Sequence, residues 1–209
     1  MATGQTIIDY VQDQINDTGA KLLSQARLLA LAEMANQDLP PTYKDYLEAT
    51  ITTVAGTASY AIDTLDGTNT CRLVKGVVLD DEHIQYTSKQ KLLSWKYDLT
   101  DQGEPEYFYM DGGNLKFYPV PSAVWTGTLD YYKYRTPITA TSTTIELPPG
   151  RELAICYFVL AQFYLKVARD PGLAQGYLDD YNMWKNDPTM FPLNMPGINL
   201  ITQVQGDWD

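Results

Sequence analysis

The sequence predicts an α+β fold: a helical bundle built from the N- and C-terminal helices, an antiparallel β region inserted between them, and an extended C-terminal arm. Three observations carry this. Helix-period apolar patterns occupy both ends of the chain, over 6–37 and 151–185. The intervening 46–147 is rich in β-branched and aromatic residues broken by Gly, Asn and Asp turns. After Asp187 the periodicity stops. A single domain over 1–186 with an arm over 187–209 follows, and 209 residues suit that size.

In Thr6–Asn16, Ile7, Ile8, Val11 and Ile15 fall near one helical face while Asp9, Gln12 and Asp13 face out, and Gly19 supplies a stop. A second helix is predicted over Ala20–Gln37. Leu22, Ala26, Leu29 and Glu33 form one line on it, flanked by Leu23, Ala30 and Met34. Pro40 and Pro41 end it.

Strands are predicted at Leu47–Val54, Ser59–Ile62 and Arg72–Leu79, the last as a central strand closed by Asp80-Asp81-Glu82. A turn is expected at Asp66–Asn69. A short helix is expected over Ser88–Tyr97 and a loop over Thr100–Glu104. Glu104–Pro121 is the sharpest local signal, two aromatic strands around Asp111-Gly112-Gly113-Asn114. Its second strand runs into Pro119 and Pro121, so it must lie at a sheet edge or leave the sheet there. Trp125–Arg135 and Thr144–Leu147 complete the β region.

Arg151–Ala168 is apolar almost all round, the mark of a buried helix. Arg169-Asp170-Pro171-Gly172 breaks it. Leu173, Tyr177, Tyr181 and Trp184 then line up on Leu173–Lys185, which should form an antiparallel hairpin with the preceding helix. The final segment, DPTMFPLNMPGINLITQVQGDWD, carries three prolines and isolated large apolar residues. A disordered end and an arm anchored on a partner are the two readings. Its apolar content favours the arm, because disordered segments are poor in such residues.

The chemistry expected of an enzyme is missing. His83 is the sole histidine and follows an acidic turn, so a histidine-based triad would rest on it alone. Asp80/Asp81/Glu82 and Asp179/Asp180 are adjacent carboxylates, not a pair facing across a cleft. Cys71 and Cys156 are isolated and read as small core residues, not as a disulfide framework or zinc site. No catalytic residue, cofactor site or metal site is assigned. No basic-then-apolar leader opens the chain, and the longest apolar stretch is too short to cross a bilayer. A soluble protein made in the cytoplasm, without membrane contact, is expected.

Fifteen basic against 26 acidic residues give a formal charge of -11. That opposes phosphate gripping. It leaves a solubilising surface or one that repels passing DNA. Sixteen tyrosines and four tryptophans are compatible with sugar stacking, and equally with protein interfaces.

Several motifs in order resemble the head-to-tail adaptor (connector) proteins of tailed bacteriophages. They are Gly103, Pro105 and Tyr107–Tyr109; Leu115–Pro121; Tyr131, Tyr132 and Tyr134; Glu146-Leu147-Pro148; and the helix from Arg151 to Asp170. The resemblance spans about 5–186. It implies a non-enzymatic virion protein of the neck, assembled in the host cytoplasm. Its copies would form a ring, dodecameric, that docks on the portal protein and extends the DNA channel, which DNA traverses without specific binding. The ring would then meet the tail or a further neck protein. Expected partner contacts are Trp184, Met190, Phe191, Met195, Ile198, Leu200 and Trp208, together with Tyr118 and Pro119 at the hairpin exit. Two alternatives stand beside it: another neck component, such as a terminator or completion protein, and a carbohydrate-binding β module.

Overall fold

The computed structural model describes residues 2–17, 22–62, 70–96 and 98–187. The chain starts with α1 (Gly4–Gln14) and α2 (Gln25–Asp38), then β1 (Tyr46–Thr52), β2 (Ser59–Ala61), β3 (Cys71–Leu79) and β4 (Glu82–Tyr86). Next come α3 (Lys89–Trp95), β5 (Gln102–Gly103), β6 (Tyr107–Asp111), β7 (Asn114–Tyr118), β8 (Val120–Pro121) and β9 (Thr126–Lys133). The chain then forms α4 (Glu152–Phe163), a π-helical turn (Tyr164–Ala168) and α5 (Pro171–Asn186).

Seven strands form one sheet in the order β1-β9-β3-β4-β6-β7-β2. Neighbours are antiparallel except β4 and β6, which run parallel. The sheet curls. At one end the Tyr60 hydroxyl, on the far edge strand, meets the Val54 N–H at 2.9 Å, just beyond β1. Ile51, Val77, Leu129, Phe108, Leu115 and Phe117 fill the inside of the curl. Gly127 is required there: a Cβ would run into the Val78 carbonyl oxygen.

This overturns the expected helical bundle with an inserted antiparallel β region. A curled seven-stranded sheet of mixed direction dominates, with five helices around it. The strand that changes the architecture is β4. Its sequence, EHIQY, buries only Ile84, too weak an alternation to read as a strand. Yet its parallel pairing with β6 (Gln85 with Tyr107, Tyr86 with Phe108) fuses two antiparallel halves into one sheet. A second parallel pair joins β5, in the stretch expected to be a loop, to β8, at the end of the expected hairpin. The expected extended arm lies outside the described residues, as does the turn at Asp66–Asn69.

The hairpin β6–β7 has the expected Gly112-Gly113 turn, both glycines at positive φ (61° and 79°). It is not an edge: β4 and β2 flank it. The chain leaves the sheet at the cis Tyr118–Pro119 bond, and Val120–Pro121 then pair with β5. Asp80-Asp81 is itself a hairpin turn, with φ of 44° and 67°, so Glu82 opens β4 rather than closing β3. Thr144 makes only an isolated bridge to Thr3, where a strand was expected.

α1, α2, α4 and α5 form a layer with its own core, in which Ile7, Val11, Leu28, Ile155, Val159 and Leu160 are central. α2 starts five residues later than predicted, capped by the Ser24 hydroxyl, which accepts from the Arg27 N–H at 3.4 Å. That start selects a different face. Leu28, Leu31, Ala32 and Ala35 are buried, whereas Leu22, Ala26, Ala30 and Met34 are exposed. α5 is capped by Asp170, which accepts from the Gly172 and Leu173 N–H groups at 3.1 and 3.0 Å, with Pro171 at its first position. α3 instead lies against β6, where Leu92 packs with Tyr109 and Tyr118.

Candidate interaction surfaces

The helical layer and the sheet keep separate apolar cores. Polar groups join them. Arg135, two residues past β9 and 2% exposed, donates to Asp45 through Nε (3.1 and 3.2 Å) and Nη2 (2.8 Å). Its remaining donors reach the carbonyls of Asn36, Leu39 and Pro40, where α2 ends. Asp45 also accepts from the Thr42 N–H and hydroxyl. Arg72 of β3 adds a bond to the Leu39 carbonyl at 2.9 Å. Burial, then the nearby positive charge of Arg135, lower its pKa. Lys44 reaches the Leu147 carbonyl, and Glu33 accepts the Ile138 N–H at 2.7 Å.

Lys133 pairs with Glu146 at 3.0 Å. Burial would raise the Glu146 carboxyl, but bonds from the Thr136 N–H and Lys133 hold it low. The E-L-P stretch singled out in the sequence therefore sits in the joint: Glu146 ties back to β9, and Leu147 belongs to the helical core.

α5 is pinned to α2. The Tyr181 hydroxyl donates to Asp38 at 2.6 Å, and Lys185 bonds both Asp38 oxygens at 2.8 and 2.7 Å. Burial works to raise the Asp38 carboxyl; the Lys185 and Tyr181 bonds overcome it and hold it below the ordinary range. On the same layer Tyr177 stacks with both Tyr157 and Tyr164. Trp184, an expected partner contact, is half-buried against the helical core.

Tyr118 is buried, and its hydroxyl donates to Asp101 at 2.8 Å. Its pKa is pushed up to about 12, by burial first and then by that carboxylate. Pro119 is half-buried beside it. Met190, Phe191, Met195, Ile198, Leu200 and Trp208 lie outside the described residues.

Large apolar side chains reach the surface at several points, among them Val54 and Val124 beside the β1–β9 end, Leu93 and Trp95 on α3, Leu22 and Met34 at α2, and Leu165, Leu173 and Met183 around the α4–α5 hairpin. Trp95 meets Tyr107 edge-on at 6.0 Å, with the Lys91 ammonium over its face at 4.9 Å. Trp95 lies in the short helix expected over Ser88–Tyr97 and is exposed. Its outward position follows from α3 having a single buried residue, Leu92.

His83 is exposed on β4. Cys71 and Cys156 are both buried, and burial, aided by Glu152, pushes the Cys156 thiol up to about 12. Among the described residues no group of three or more His, Cys, Asp or Glu could hold a metal ion, and no helix is long and apolar enough to cross a membrane.

The fold is thus a mixed sheet and a helical layer joined by a buried ion pair, with apolar groups at several exposed points. The chain belongs to the SU10 adaptor protein family, whose profile matches residues 2–186, a family of phage head-to-tail adaptors. No curated protein matches the chain.

Proposed function

We propose that this phage adaptor is a structural subunit of the virion neck that joins the portal at the capsid vertex to the tail. Copies close into a ring, dodecameric, that extends the DNA channel. The observation carrying this reading is the family match over residues 2–186, nearly the whole chain outside the final segment. Ring closure needs a head-to-tail interface whose rotation closes on itself. The formal charge of -11 suits a channel that DNA passes without sticking, since carboxylate and phosphate repel over a Debye length of about 8 Å.

In this reading residues 1–186 are the adaptor domain and 187–209 an arm. Trp184 stands at the arm's root, and Met190, Phe191, Met195, Ile198, Leu200 and Trp208 are its anchors. Tyr118 supports, and Pro119 borders, a second contact where β7 leaves the sheet. Negative-stain imaging of the purified chain mixed with tailless capsids tests it. Added ring density beneath the portal is expected; bare portals at saturating protein would sink the reading. Deleting 187–209 should weaken incorporation while leaving the fold of 2–186 intact, and undiminished incorporation would remove the arm from the mechanism.

A further inference from the structure

The two edges of the seven-stranded sheet are unlike. β2 is three residues long, and Ala61 at its end is already engaged. β1 is seven residues long and pairs with β9 in unbroken register. The bonds from Lys133 N–H to the Asp45 carbonyl (2.9 Å) and from Thr53 N–H to the Trp125 carbonyl (2.8 Å) bracket that ladder. They fix its alternation: odd-numbered residues bond β9, while Tyr46, Glu48, Thr50 and Thr52 turn their main-chain groups away. Among the described residues no strand pairs with those four. Free edges are ordinarily guarded by lysine, proline, a bulge or shortness. β1, YLEATIT, has none of these, and its one charge is the exposed Glu48.

The sequence contains a segment suited to that edge. Ile198–Gln205, INLITQVQ, is uncharged and alternates apart from Ile201-Thr202. Ile198, Leu200, Thr202 and Val204 would continue the inward row of Leu47, Ala49 and Ile51. Asn199, Ile201, Gln203 and Gln205 would join the outward row of Glu48, Thr50 and Thr52. The arm's root also lies at the right place, because Lys185 is tied to Asp38, which leads through Pro40 and Pro41 into β1. The spacer of residues 188–197 carries Pro188, Pro192 and Pro196. Ten residues span at most roughly 33–36 Å. A spacer of that reach is long enough for the segment to meet the edge of another copy.

We infer that Ile198–Gln205 of one copy adds as a strand to the free edge of β1 in the next copy, coupling subunits by main-chain hydrogen bonds. This rests on the ring reading above. A full-length Thr50→Cys chain is mixed, under conditions of self-association or on tailless capsids, with chains carrying Asn199→Cys, Ile201→Cys or Gln203→Cys. Leu200→Cys and Thr202→Cys serve as opposite-face controls. Mild oxidation should give interchain disulfides with period-two selectivity, strong for the outward set and lost for the controls. Thr50→Pro removes an outward N–H without touching the β9 ladder, so it should abolish crosslinking of the outward set to Glu48→Cys while leaving the unfolding midpoint unchanged.

Rings that form without any interchain disulfide, or with one lacking the alternation, overturn the strand addition and leave the ring reading standing. An intrachain disulfide in a monomeric Thr50→Cys/Gln203→Cys chain overturns it in favour of self-capping. No self-association of the unaltered chain, alone or on capsids, removes the ring reading and this inference with it.

Discussion

The helical layer and the curled sheet solve the problem of burial in opposite ways. The helical layer takes residues from both ends of the chain and closes when α4 and α5 meet α1 and α2. The sheet takes the middle of the chain and closes through the parallel β4–β6 pair. Each buries its own apolar side chains, so hydrophobic burial, which is non-directional, does little to set their relative placement. The directional bonds of Arg135, Asp45, Arg72 and Glu33 perform that task. For an adaptor, this assigns stability mainly to the two cores and geometry to the joint.

The sharpest break in that division is Arg135→Ala. It leaves Asp45 charged, buried and without its partner, and strips donors from three carbonyls. A loss of about 3–5 kcal/mol is expected by urea unfolding. Arg135→Met with Asp45→Leu should restore part of it, since a buried pair can be exchanged for apolar packing. The restoration stays incomplete because the Asn36 and Pro40 carbonyls lose the Arg135 donor, whereas the Leu39 carbonyl keeps Arg72. A double variant as stable as the parent would mean that the main-chain bonds contribute nothing.

Gly127→Ala tests the sheet alone. The added methyl meets the Val78 main chain, which cannot move without parting β3 from β9. About 1–3 kcal/mol should be lost. Leu160→Ala, at a fully buried position of α4, should cost about 2–5 kcal/mol through the cavity it leaves. Hydrogen exchange then separates the regions: if each core is autonomous, Gly127→Ala speeds amide exchange in β3 and β9 more than in α4. Equal acceleration in both would show one cooperative unit.

The two regions were not equally legible in the sequence. α4 and α5 could be read because a helix carries its signal locally: an all-apolar run, then Asp170-Pro171 as cap and first turn. The β6–β7 hairpin was legible through Gly112-Gly113. The sheet's architecture was not, since it turns on β4, where one buried Ile84 among polar residues gives almost no alternation. The joint was illegible for a different reason. Arg135 lies 90 residues from Asp45 and 99 from Asn36, and nothing local marks a charged residue for burial. α2 shows the opposite failure: an alanine-rich stretch presents several plausible faces, and the one buried is that which meets α4.

Asp38 links the helices to one another and not to the sheet, and its effect should be smaller. Its folded-state pKa lies below the ordinary aspartate value. The stabilisation is therefore present above about pH 4 and lost as pH falls through the lowered folded value. Because the side chain is 47% exposed, solvent screening keeps the contribution under about 1 kcal/mol. Asp38→Asn should lower stability at pH 6 and converge with the parent near pH 2. A constant difference across that range would show that the carboxylate charge is irrelevant.

The smallest effect lies within the sheet, between its two tight turns. Asp81 holds φ of 67° where Gly113 holds 79°, and a non-glycine residue there costs about 1–2 kcal/mol. Asp81→Gly removes that strain and one charge from a crowded acidic turn, but it adds unfolded-state freedom worth about 0.5–1 kcal/mol. The net gain should be a few tenths to about 1 kcal/mol. Gly113→Ala makes the reverse change without charge and should lose about 1 kcal/mol or slightly more. If Asp81→Gly destabilises instead, the aspartate makes a local contact in the turn that outweighs its backbone strain, and the acidic triplet serves the hairpin as more than a solvated connection.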